Sequence, residues 1–105
     1  MTEKELRIKI INCYKTLEVR GLGLGTSGNV SVRNGDIMLI TPSAVPLQVI
    51  KEEMISIVPI NGPADFKGPM RPSTEWRFHR ALYQRGDVGA VVHFHSPYAT
   101  ALAMT

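Results

Sequence analysis

The run Val88-Gly89-Ala90-Val91-Val92-His93-Phe94-His95 constrains this chain more than any other segment. Its β-branched apolar residues read as a buried strand. Side chains two apart on a strand leave the same face, so His93 and His95 point together while Phe94 turns away. Neutral imidazoles suit Zn²⁺, and a strand holds their spacing more firmly than a loop does. Taken alone, the triplet fits two readings: two prongs of a metal site, or a strand end with two solvated histidines. A catalytic zinc takes three protein ligands and one open position, so the rest of the chain has to decide.

The elements before that run point to an α/β unit with a largely antiparallel sheet. Thr2 and Glu5 have the spacing of a capping box, and Leu6, Ile10, Cys13 or Tyr14, and Leu17 recur every three or four residues, which predicts an amphipathic helix ending at Gly21. Val30 and Val32 alternate with Ser31 and Arg33, Asn34-Gly35 is a hairpin turn signal, and Ile37-Met38-Leu39-Ile40 returns as a strand. Thr41-Pro42-Ser43 breaks it, a short irregular or helical piece runs from Pro46 to Glu53, and Ile55 to Val58 is a further strand. The proline- and glycine-rich stretch from Asn61 to Pro72 is loop, and a short helix anchored by Trp76, Leu82 and Tyr83 leads to Gly86-Asp87 and the central strand. Ser96-Pro97 then opens a last helix over Tyr98 to Thr105. Successive strands joined by tight turns favour antiparallel pairing over a doubly wound parallel sheet.

Composition narrows the function classes. With 105 residues, 44% hydrophobic and 20% charged, the chain reads as one domain spanning 1–105, with the cytoplasm as its compartment. It has neither a bilayer-length apolar run nor the start of a signal peptide. Cys13 is the single cysteine, which excludes an internal disulfide and a four-cysteine zinc site; its place on the first helix's apolar stripe is a packing role. The net charge of +3 favours anionic ligands. Lysines and arginines are scattered without a basic block, so small phosphates fit better than nucleic acid or a membrane.

Two segments suit such an anion. Gly23, Gly25 and Gly28 satisfy G-x-G-x-x-G, but the order here is helix, loop, strand, which excludes a dinucleotide fingerprint, and no Gly-Lys-Ser/Thr follows to make a Walker loop. The loop is either a polar connector or a nest of backbone N–H groups with Thr26, Ser27 and Asn29 beside it. Ser73 and Thr74 can cap the second helix, whose N-terminus is the other anion site. Glu75 in its first turn has a ready explanation in the helix dipole, and His79 one turn on reads as structural or solvated.

Together these residues resemble a known family. Gly25-Thr26-Ser27-Gly28-Asn29-Val30-Ser31, Thr41-Pro42-Ser43, Pro72-Ser73-Thr74-Glu75-Trp76-Arg77-Phe78-His79 and Asp87 through Pro97 occur in the order and near the spacing of the class II aldolase/adducin family, closest to its bacterial L-fuculose-1-phosphate aldolase-like branch. The resemblance implies a three-layer α/β/α fold around a largely antiparallel sheet, a Zn²⁺ cofactor held by three histidines, and a homotetramer. It implies metal ligation by His93 and His95, acid/base catalysis by Glu75, and phosphate binding by Ser27, Gly28, Asn29, Ser73 and Thr74, with Thr41 and Ser43 as further members. The implied reaction cleaves a ketose 1-phosphate to dihydroxyacetone phosphate and an aldehyde, with Zn²⁺ as Lewis acid toward the enediolate.

The family's third zinc histidine falls beyond Thr105. The chain is therefore expected to be the N-terminal portion of such a domain, with Glu75 able to complete a weaker ligand set. A sugar-phosphate dehydratase or epimerase of the same family and a non-enzymatic adducin-like scaffold are the competing readings. Glu75 where epimerases carry Asp speaks against an epimerase, and retention of His93, His95 and Glu75 together speaks against a scaffold; dehydratases keep Glu and stay open beside the lyase.

Overall fold

A computed structural model describes residues 1–19 and 28–93, and the helix expected over Tyr98 to Thr105 lies outside them. The first helix, α1, spans Glu3–Val19. Its start is the reciprocal cap expected from the sequence: the Glu5 N–H donates to the Thr2 hydroxyl (3.1 Å), and the Glu5 carboxylate faces the Thr2 hydroxyl and N–H. Ile10, Ile11, Tyr14 and Leu17 are buried along one side, with Cys13 packed beside them. Burial pushes the Cys13 thiol above its ordinary value, which suits packing and opposes reactivity.

Four strands follow: β1 (Asn29–Asn34), β2 (Ile37–Ile40), β3 (Ser56–Pro59) and, after the helix α2 (Trp76–Tyr83), β4 (Ala90–His93). They form one sheet in the order β3-β2-β1-β4, and every pairing is antiparallel. The β1–β2 connection is a two-residue turn in which Gly35 has φ +62°, a left-handed conformation that glycine adopts without steric cost. Two short 3₁₀ turns, Leu47–Val49 and Glu52–Met54, fill the stretch between β2 and β3. Pro59 is tolerated because β3 is an edge strand.

Alternation on the strands separates two apolar layers. Val30, Leu39, Ile57 and Ile37 face α1, while Met38, Ile40, Val58 and Val91 face the side that carries α2 and its buried Tyr83. This is the three-layer arrangement the sequence implies. The last strand starts at Ala90, two residues later than the apolar run suggests, because the Val88 N–H is used on the Arg85 carbonyl to close the turn after α2 (3.3 Å). Arg33 secures that turn: its guanidinium donates to the carbonyls of Val88 (3.0 Å), Tyr83 (2.5 Å) and Arg85 (3.1 Å), a cation placed at a helix C-terminus. None of the described helices is long and apolar enough to cross a membrane.

Candidate active site

Strand pairing gathers the sequence-predicted residues at one end of the sheet. In the β1–β4 register Asn29 lies opposite His93, so the entry to β1 and the exit from β4 are side by side. The exit from β2 joins them: the Thr41 N–H donates to the Val30 carbonyl (3.0 Å), and the buried Thr41 hydroxyl accepts the Val30 N–H (3.2 Å). Thr41 thereby clasps the strand end, with its O–H proton as the group it can still give. The segment before α2 is stitched onto the same place, since Ser73 N–H donates to the Thr41 carbonyl (2.9 Å), Ser43 N–H donates to the Arg71 carbonyl (2.8 Å), and Pro42 and Pro72 form a bridge. Gly28, Asn29, Thr41, Ser43, Ser73, Thr74, Glu75 and His93 thus belong to four segments meeting at one end of β1. Ser27 and His95 lie outside the described residues.

The start of α2 differs from the sequence expectation. Neither Ser73 nor Thr74 is the cap; Glu75 holds that position, with φ −86° and ψ 10°, and the helix opens at Trp76. The Ser73 hydroxyl accepts the Glu75 N–H (3.2 Å) and the Ser73 carbonyl accepts the Trp76 N–H (3.0 Å), closing a turn ahead of the helix rather than its first turn. The Glu75 carboxylate makes no capping bond and is half-buried. The helix dipole still favours a carboxylate at this N-terminus, so only the capping hydrogen bond is missing. Close by, Ala44 has φ +56°, a left-handed conformation costing a side-chain-bearing residue ~1–2 kcal/mol, and it fixes the bend just after Ser43.

His79 is the residue that sequence reasoning undervalued. It is completely buried; its Nε2 is bonded to the Asn29 Oδ1, and its Nδ1 lies 2.6 Å from the Ser31 hydroxyl, which lies 2.8 Å from the Tyr83 hydroxyl. Burial, with His93 nearby as a second cause, lowers the His79 pKa to about 4. A neutral ring has one N–H, so with the Asn29 oxygen as acceptor the chain runs Tyr83 O–H to Ser31, Ser31 O–H to His79 Nδ1, and His79 Nε2–H to Asn29. This run of bonds pins α2 to the entry of β1. Trp76, His79 and Tyr83 at helical spacing were the available signal, since a histidine on an apolar stripe is buried and needs partners.

His93 is half-buried with its Nδ1 shielded from solvent, and its ring sits 5.2 Å from that of Phe78. Imidazole and carboxylate are the donor types a zinc ion takes, and His93 and Glu75 belong to this end of the sheet. His79 is not available as a third ligand, because both ring nitrogens are engaged. Among the described residues no three His, Cys, Asp or Glu side chains converge to hold a metal ion. Beside the turn before α2 lies a cleft of about 450 Å³ whose wall includes Ser43, Thr74, Arg71 and Arg77.

The family described as the Class II Aldolase and Adducin N-terminal domain matches residues 8–105. The chain belongs to the class II aldolase and adducin family. Among curated members of this family, a 5-methylthioribulose-1-phosphate/5-deoxyribulose-1-phosphate aldolase of Rhodospirillum rubrum is 48% identical over 99 residues, covering 93% of this chain and 44% of the relative. The L-fuculose phosphate aldolase of Escherichia coli K12 is 43% identical over 105 residues, covering 99% of this chain and 48% of its own length. Solved class II aldolases share the fold: an L-fuculose 1-phosphate aldolase superposes with TM-score 0.84 at 39% identity over 94% of this chain and 48% of that one. The L-fuculose-1-phosphate aldolase of Thermus thermophilus gives 0.81 at 33% identity over 98% of this chain and 52% of its own. The chain spans about half the length of the curated relatives it matches.

Proposed function

We propose that this chain carries the phosphate-binding and proton-transfer half of a zinc-dependent class II aldolase, a lyase that cleaves a ketose 1-phosphate to dihydroxyacetone phosphate and an aldehyde. The observation that carries the reading is the half-buried Glu75 carboxylate, released from capping, at the sheet end where Asn29 pairs with His93. In the cleavage direction the C3–C4 bond breaks, the C4 hydroxyl loses its proton as it becomes the aldehyde, and the electron pair left on C3 takes up a proton. Glu75 is the group that moves the proton at C3. Ser27, Gly28, Asn29, Ser43, Ser73 and Thr74, with Thr41 behind them, hold the phosphate by hydroxyl and amide donors, so that binding energy remote from the reacting carbons orients them. His93 and His95 would hold Zn²⁺, which when bound supplies Lewis-acid stabilisation of charge on the substrate oxygens. The unit is read as part of a cytoplasmic homotetramer, an assembly that light scattering on the purified protein checks.

The test is product analysis. In a full-length aldolase carrying this segment, Zn²⁺ and L-fuculose 1-phosphate or 5-methylthioribulose 1-phosphate should yield dihydroxyacetone phosphate, and Glu75→Gln should lower turnover by about 10²–10⁴-fold, the usual worth of general acid–base catalysis. Formation of a dehydrated or epimerised sugar, or full turnover by Glu75→Gln, would overturn the assignment.

A further inference from the structure

The described arginines divide into two groups. Arg7 donates to the carbonyls of Glu52 (2.8 Å) and Ile55 (2.9 Å), Arg33 to three carbonyls after α2, Arg80 to those of Ile60 and Gly62, and Arg85 pairs with Asp87. The first three guanidinium groups are committed to backbone carbonyls of the fold, and that of Arg85 to an exposed local ion pair. Arg71 and Arg77 are different. Neither makes a side-chain hydrogen bond or ion pair with a described residue, and the one contact of Arg77 is with the face of Trp76, 4.4 Å from the ring centroid.

Both of these arginines line the same cleft, of about 450 Å³, together with Ser43, Phe66, Thr74 and Trp76, and among the described residues no acidic side chain belongs to its wall. Arg71 is held there by its backbone, through the Ser43 N–H bond to its carbonyl (2.8 Å) and the neighbouring Pro42–Pro72 bridge. The cleft shares Ser43 and Thr74 with the proposed phosphate cradle, whose members are all uncharged. A phosphate monoester carries close to two negative charges at neutral pH, and neutral donors alone leave that charge without a counterion. An arginine fork supplies charge and paired N–H donors suited to phosphate oxygens.

We propose that Arg71, with Arg77 beside it, forms the cationic outer wall of the phosphate cradle and selects phosphorylated over unphosphorylated sugars. The inference rests on the sugar-phosphate reading above. Its test is separable from it, because the probe is inorganic phosphate titrated into the purified chain by calorimetry and amide NMR. Arg71→Ala should weaken phosphate binding about tenfold, in line with a lost hydrogen bond between charged groups, and Arg71→Ala/Arg77→Ala further. Arg71→Lys should recover part of the loss, since charge returns without the fork. Arg85→Ala, on an exposed pair away from the cleft, should leave binding unchanged.

Unchanged affinity in the double variant, with weakened binding in Thr74→Val, would overturn this inference and leave the cradle standing. Weakened binding in the arginine variants with none in Thr74→Val would support the cationic wall and count against the hydroxyl cradle. Absence of phosphate binding by the unaltered chain would overturn both.

Discussion

On the α1 side of the sheet, Ile10, Ile11, Leu17, Val30, Leu39, Ile50 and Ile55 meet in a mainly aliphatic cluster in which the Tyr14 phenol is the buried polar side chain. On the α2 side, Met38, Ile40, Val58 and Ile60 share their layer with the buried Ser31, His79 and Tyr83. The same strands build both faces by simple alternation, yet the constraints differ. Apolar contacts are non-directional, so the α1 layer specifies volume; hydrogen bonds are directional, so the α2 layer specifies position. The proposed chemistry lies on the side where position is specified, and His79 carries that precision from α2 to Asn29 at the mouth of the site.

Four substitutions or conditions would break or sharpen this contrast. Leu39→Ala on the α1 face should cost about 3 kcal/mol through lost burial and a residual cavity, read as a lower urea midpoint. Phosphate affinity of the folded protein should stay unchanged. His79→Leu should cost about 2 kcal/mol by leaving Ser31 and Asn29 without their partner, and unlike Leu39→Ala it should shift the amide resonances of Asn29 and weaken phosphate binding. If both substitutions disturb the site equally, the contrast fails.

The third is a pH dependence confined to the α2 face. The folded pKa of His79 is lowered to about 4, whereas an unfolded histidine titrates near 6.5. Below about pH 6.5 the unfolded chain binds the extra proton first, so stability is full above that pH and falls as pH drops toward 4, by at most about 1.4 kcal/mol per unit. Urea midpoints of the metal-free protein at pH 7 and pH 5 measure it, and His79→Leu should remove this component. Smallest is Ala44→Gly, which should stabilise by about 1 kcal/mol on relieving the left-handed strain after Ser43, visible as a raised thermal midpoint.

Much of this was readable from residue order. The Thr2/Glu5 cap, the α1 stripe, the β1–β2 hairpin and the antiparallel sheet all rest on local periodicity and turn chemistry, and all appear in the structure. What local pattern could not supply was pairing at long range. Nothing near Asn29 in sequence announces that it will face His93 and bond to His79, and nothing near Arg33 announces three carbonyl partners after α2. Residue order puts Glu75 inside the first turn of α2, whereas it stands at the cap: the Ser73 backbone is tied to Thr41 of another segment, and the Ser73 hydroxyl accepts the Glu75 N–H in a turn ahead of the helix.

The register between β1 and β4 carries a kinetic consequence. β1 meets β2 across two residues and β2 meets β3 across the stretch 41–55, whereas β4 reaches β1 only after more than half of the chain has been laid down. Loop-closure entropy delays such distant contacts until others are in place. Docking of β4 is thus expected as the last step of folding, and with it arrives His93; ligand competence should appear with the slowest refolding phase and be the first property lost when the native state begins to open.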